Sequence, residues 1–137
     1  MASPDILDRI EAHVRAFREA VGPDVDVAVD AYGKHSPAMA RWVLARLKPY
    51  EPMSVEEPVH PEHDHRLSDL RATTYVPLAT GERRFSPWDF RDIYSSGVDV
   101  FQSAPSHAGV ISEVRRIAAL AQTHGISMAH HCPLDSV

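Results

Sequence analysis

Apolar residues recur along this chain at two periods, every third or fourth position and every second position, and the two patterns alternate from end to end. Ile6, Ile10, Val14, Phe17 and Val21 make a helical stripe. It opens at Ser3-Pro4-Asp5, a cap followed by a proline in the first turn, and stops at Gly22-Pro23. Val25 to Asp30 then reads as a strand, and Ser36-Pro37 opens a second helix carrying Met39, Val43 and Leu47 that ends near Pro49 and Pro52. Met53 to Glu57 is a second strand. Pro61 to Thr73, with Leu67 and Leu70, is a weaker helix, and Val76 to Thr80 is the third strand. Ser86-Pro87 caps a helix with Phe90 and Ile93 that ends at Gly97, before a strand from Val98 to Gln102. Gly109 to His124 presents Val110, Val114, Ile117 and Ala121 on one helical face, and Ile126 to His130 follows Gly125 as the last strand.

Five strands alternating with five helices predict a parallel sheet with right-handed crossovers. Strand parity decides how that sheet is covered. Val25, Val27 and Val29 share one face, whereas Asp26, Ala28 and Asp30 share the other; Ser54 and Glu56, and Ser127, Ala129 and His131, continue the small or polar face. An open sheet with helices on both sides requires apolar runs on both faces. One apolar and one polar face suits a barrel wall, with helices outside and a lumen inside. The expected fold is therefore α/β, a partial (β/α)8 barrel over residues 1–137 as a single, incomplete domain. A closed barrel has eight strands and about 250 residues, so exposed sheet edges call for a complementing chain or a second copy.

The apolar runs also end in acids. Asp30, Glu56 and Glu82 follow one another at equal intervals of 26 residues, the length of one strand, loop and helix. Equivalent places at the ends of neighbouring strands would bring the three carboxylates together as a metal site.

Composition narrows the partners. With 44% hydrophobic residues, 24% charged residues and a net charge of −5, the chain has no basic cluster for nucleic acid or anionic membrane. No apolar run approaches the roughly 18 residues of a membrane span. The N-terminus has no signal-peptide pattern, and the single Cys132 suits a reducing compartment, so a cytoplasmic location is expected. His60, His63 and His65 read as a solvated polar turn, with a soft-metal cluster as the sharper alternative. Trp42 and Trp88, inside helices, read as packing residues.

Taken together, several segments resemble the metal-dependent barrel of the enolase superfamily in its mandelate-racemase-like branch, and within it the galactonate-type sugar-acid dehydratases. They are Val29-Asp-Ala-Tyr-Gly-Lys34, Val55-Glu-Glu-Pro-Val59, Ala79-Thr-Gly-Glu-Arg83, Phe85-Ser-Pro-Trp-Asp-Phe90, Ser106-His-Ala-Gly109 and His131-Cys-Pro-Leu134. The resemblance places the chain at barrel strands three to seven. It implies Asp30, Glu56 and Glu82 as ligands of Mg²⁺, a hard cation suited to carboxylate oxygens. It also implies His131 as the base that removes the proton α to a substrate carboxylate, and Tyr32 as the acid that helps the β-hydroxyl leave.

Three positions depart from the family pattern. Tyr32 stands where the dehydratases carry histidine, Ala104 where an aspartate orients the base, and His130 where proline is usual. The implied function is elimination of water from a small sugar acid. The alternative is an inactive, truncated barrel that serves as a scaffold or waits for a complementing chain or dimer partner.

Overall fold

The computed structural model describes residues 3–109 and 111–132. Its helices are α1 (Pro4–Val21), α2 (Pro37–Leu47), α3 (Leu67–Arg71), α4 (Pro87–Phe90) and α5 (Ile111–Thr123). They alternate with β1 (Ala28–Asp30), β2 (Ser54–Glu56), β3 (Leu78–Thr80), β4 (Val100–Phe101) and β5 (Ser127–Met128). All strand pairs are parallel and the spatial order is β1-β2-β3-β4-β5. An order that never reverses lacks the switch point of a doubly wound sheet and is the winding of a barrel wall.

The register bears out the parity argument. Ala28 pairs with Ser54, and Asp30, Glu56, Ala79, Val100 and Ser127 pair successively across the five strands. Because side chains alternate along a strand, this row forms the inner face. The other face carries Val55, Leu78 and Phe101, which are at most 1% exposed and pack with Leu44, Leu47, Leu67, Leu70, Phe90, Ile93 and Ile117 from the helices. The core is thus one-sided, lying between sheet and helices.

Several elements are shorter than the apolar pattern predicts. The third expected helix splits into a 3-10 segment, Pro61–Arg66, and the single turn of α3; Pro61 opens the segment, and His63, Asp64 and His65 within it are weak α-helix formers. α4 covers only Pro87–Phe90, opened by Ser86 and Asp89 in a reciprocal capping box. Val110, expected on the last helix, lies outside the described residues.

The stripe on α1 is also only partly buried. Leu7 and Val14 face the core, but Ile6, Phe17 and Val21 are 46%, 66% and 38% exposed. Phe17 and Val21 line an open cleft with Val25, Val27 and Val29 along the unpaired edge of β1. A helix at the end of a sheet can bury only the part of its stripe that has a neighbour. Trp42 and Trp88, expected to pack, are 63% and 74% exposed, because α2 and α4 each turn another face to the sheet. No described helix is long and apolar enough to cross a membrane.

Polar contacts fix the ends of these elements. Arg46 of α2 binds Glu11 and Asp8 of α1, at 2.5 and 3.1 Å, and the Tyr50 hydroxyl donates to Glu11 at 3.0 Å. Arg18 donates to the carbonyls of Gly22 and Val25, closing the turn between α1 and β1.

Phe90 and Phe101 are fully buried with ring centroids 4.6 Å apart, joining α4 to β4 under the sheet. Gly81, at φ +129°, makes room for them: a Cβ there would lie 2.6 Å from Phe90 Cε1. Phe90→Ala is expected to cost about 3–5 kcal/mol. Urea unfolding should show this as a lower midpoint with an unchanged slope.

Candidate metal and proton-transfer site

The functional side chains gather at the C-terminal ends of the strands, where parallel α/β sheets place their chemistry. Asp30 and Glu56 end β1 and β2 and are direct partners in register. Glu82 is reached differently. The β3 partner of Glu56 is Ala79, so the equal sequence interval does not continue the register. Glu82 lies beyond the end of β3, on the turn that follows Gly81.

That turn is held by Glu57, which is 1% exposed and has a left-handed φ of 42°. Its Oε1 accepts from Thr80 Oγ1 at 2.6 Å and from the Gly81 N–H at 3.0 Å, and its Oε2 pairs with Arg83 Nη1 at 3.2 Å. Arg83 also pairs with Glu82 Oε1 at 3.2 Å. The other oxygen of Glu82, Oε2, lies 3.2 Å from His131 Nδ1, just beyond β5. One ligand atom from each of Glu56, Glu82 and His131 falls within 4.8 Å of the others.

Asp30 is not a member of that group. It is exposed at the rim, and its Oδ1 accepts from the Tyr32 backbone N–H at 2.7 Å, folding the side chain back over its own turn. Its charge nevertheless reaches Glu56. Burial pushes the Glu56 carboxyl above its ordinary value of 4.5; a hydrogen bond from Gln102 opposes this, and the negative charges of Asp30 and Glu82 add to it. Gln102 itself keeps a buried Oε1 with no partner among the described residues.

Tyr32 lies elsewhere. Its ring is 56% exposed and has the Lys34 ammonium and the Arg83 guanidinium at 4.9 and 5.4 Å from its centroid. It borders a neighbouring cleft rather than the carboxylates. His60, His63 and His65 form no three-ligand metal group among the described residues; the rings of His63 and His65 meet edge to face at 6.2 Å. Ala104 and Ser103 are fully buried, and the Ser103 carbonyl meets His130 Nδ1 at 3.3 Å.

A profile of enolase C-terminal domain-like proteins matches residues 2–137. The chain belongs to this enolase C-terminal domain-like family. It is 39% identical over 132 residues to a D-galactonate dehydratase from Ralstonia pickettii (strain 12J), a match that takes in 96% of this chain and 35% of that enzyme. A mandelate racemase/muconate lactonizing enzyme from Jannaschia sp. CCS1 superposes with a TM-score of 0.91 at 34% identity, over 96% of this chain and 34% of that one. Another from a marine actinobacterium, in complex with magnesium, does so with a TM-score of 0.86 at 31% identity, over 91% and 36%. This member of the family thus spans about a third of the length of these relatives.

Sequence reasoning missed two contributors to the site, Arg83 and Gln102. Arg83 follows Glu82 directly, and a cation beside a strand-end acid was the available signal. Gln102 opens the Gln102-Ser103-Ala104 stretch that the family resemblance marks for its missing aspartate, and its own contact with Glu56 went unread.

The raised carboxyl gives a pH test. The folded chain retains a proton on Glu56 just above pH 4.5, where the unfolded chain has released it, so this group makes stability fall as pH rises through that window. With divalent cations chelated, Glu56→Gln is expected to melt a few degrees higher than the parent at pH 7. The gain should vanish below pH 4.5. A lower melting temperature for the variant at pH 7 would contradict the charge balance described.

Proposed function

We propose that this chain forms the metal-binding and proton-abstracting part of a Mg²⁺-dependent sugar-acid dehydratase of the galactonate type. The observation that carries this reading is the convergence of Glu56, Glu82 and His131 within 4.8 Å at the mouth of the sheet. Similarity to a D-galactonate dehydratase supports the substrate class.

The donor set suits a hard divalent cation. Glu56 and Glu82 offer carboxylate oxygens, Asp30 sits beside Glu56 in register, and burial, with a smaller contribution from the charges of Asp30 and Glu82, raises the Glu56 carboxyl, a cost that bound positive charge would relieve. In this reading Glu56, Glu82 and Asp30 would hold Mg²⁺, for which Asp30 would have to give up the bond it accepts from the Tyr32 N–H. The bound ion supplies positive charge that orients the substrate carboxylate and acidifies the neighbouring C–H.

His131 takes that α-proton. Ala104 supplies no carboxylate to orient it; the carboxylate beside it is Glu82, whose Oε2 meets Nδ1 and leaves Nε2 as the nitrogen to accept the proton. The β-hydroxyl leaves as water, and the enol product rearranges to a 2-keto-3-deoxy acid. In this scheme Tyr32 would donate the proton to that hydroxyl, which requires its phenol to leave the neighbouring cleft that it borders.

Adding Mg²⁺ and galactonate is expected to yield the 2-keto-3-deoxy acid, with loss on chelation and restoration on re-addition. His131→Asn should lower turnover at least a hundredfold, in the range by which positioned acid–base groups act, while leaving Mn²⁺ affinity unchanged by calorimetry. A parallel loss of Mn²⁺ binding would make His131 a ligand rather than the base.

One observation favours a second reading, in which the chain needs a partner to work. The edge of β1 is unpaired, and Phe17, Val21 and Val25 lie open beside it. Edge pairing predicts dimers or larger species by light scattering at micromolar concentration. A monomer without turnover that still binds Mn²⁺ would identify a metal-binding scaffold.

A further inference from the structure

Beside the carboxylate cluster, on the far side of Arg83, lies an open cleft of about 470 Å³ with Lys34 and Arg83 in its lining. We propose that this cleft, lined by Lys34, His35, Ser36, His60, His63 and Arg83, binds a small-molecule oxyanion of the phosphate class.

The lining collects donors and hardly any acceptors. Lys34 is exposed, its ammonium lies over the Tyr32 ring, and it has no carboxylate within ion-pair distance among the described residues. A compact ammonium of this kind is a phosphate ligand that acts as a point charge. Arg83 is steered towards the cleft by Glu57 and Glu82, which bind it from behind. Gly33, at φ +63°, permits this, because a Cβ there would stand 2.6 Å from Arg83 Nη1.

Three imidazoles complete the wall. His35 is a wall and not a donor: burial pushes its imidazole below the ordinary value, the ring donates to the Pro58 carbonyl, and the buried Nδ1, unpartnered among the described residues, is left as an acceptor. His60 Nδ1 accepts from the Glu62 N–H, which leaves Nε2 as the protonated, donating nitrogen of the neutral ring. The acids near the cleft are accounted for: Glu57 and Glu82 are engaged by Arg83, and Glu62 sits 3.9 Å from His60 on its exposed side. Ser36 uses its Oγ to accept from the Met39 N–H at the start of α2, so its hydroxyl proton remains available to an acceptor in the cleft. The helix dipole adds a small positive contribution there. The cleft is separate from the cluster of Glu56, Glu82 and His131, yet shares Arg83 with it through Glu82.

Titration with inorganic phosphate, followed through the histidine ring signals at fixed pH and ionic strength, tests the assignment. Saturable shifts of His60 and His63 are expected, absent with matched chloride. Lys34→Gln should weaken binding at least fivefold, and Arg15→Gln, which removes an exposed cation of α1 outside this cleft, should leave it unaltered. Lys34 is at the surface, so the variant's fold can be checked by its unchanged spectrum elsewhere. His63→Gln provides a second variant with the same expected loss. Shifts that grow linearly, that chloride reproduces, or that survive both substitutions would overturn the proposal. So would saturable binding of galactonate at these histidines without binding of phosphate, which would assign the cleft to a carboxylate instead.

Discussion

The buried carboxylate of Glu57 is the interaction on which the site geometry depends. An ionised group at 1% exposure is costly unless its oxygens are satisfied, and here three donors supply that compensation: a threonine hydroxyl, a glycine N–H and a guanidinium. Each belongs to β3 or to the turn after it. Satisfying Glu57 therefore fixes how the chain leaves β3, and with it the place of Glu82. Glu56 and Glu57 divide the labour of one dipeptide: the first points into the lumen, the second secures the neighbouring loop from the side of the core. The left-handed backbone at Glu57 accompanies this change of direction at the end of β2.

Arg83 extends the same arrangement outward. It satisfies Glu57 with one nitrogen and Glu82 with another, and it forms part of the wall of the basic cleft. Negative charge accumulates on the lumen side, where Asp30, Glu56 and Glu82 raise one another's cost. Beside it stands the ammonium of Lys34, over the Tyr32 ring. A single arginine with carboxylates behind it separates the two fields over a few ångströms. At such range, with part of the intervening space filled by protein, the fields are weakly screened, so occupation of either region changes how strongly Arg83 is held by Glu82.

The sequence made the winding legible because each strand carried its own parity. Valines on one side and small or acidic residues on the other excluded an open sheet covered on both faces, and the register across Asp30, Glu56, Ala79, Val100 and Ser127 follows that parity. Proline and serine marked the helix starts at Pro4, Pro37 and Pro87 for local reasons that tertiary context did not override. Helix lengths were less legible, since α3 and α4 are set by what the sheet behind them can cover. The exposed Trp42, Trp88 and Phe17 have a similar origin: apolar periodicity reports that a face is available for burial, not that a neighbour lies against it. The acids show the limit of spacing as an argument. Equal intervals suggested equal register, but Glu82 reaches the cluster through a turn, and Asp30, which does share register with Glu56, turns its carboxylate onto the backbone.

The one-sided core and the polar lumen bear on each other. Helices seal the outer face of the sheet, so its stability comes from Phe90, Phe101 and the leucines packed there, and the inner face is left to carry charge. An inner face open to solvent hydrates Asp30 and leaves it free to bond its own backbone, while Glu56, half-buried against Gln102, already feels desolvation. Covering that face would raise the cost of every carboxylate on it, and a divalent cation is the kind of partner that offsets such a cost. In the proposed reading, closure of the lumen and occupation of the cation site would be coupled through the same three charges, since excluding water from the inner face would strengthen its hold on a cation. The open edge of β1 bears on this directly, because Asp30 ends that strand and keeps its water for as long as the edge is uncovered.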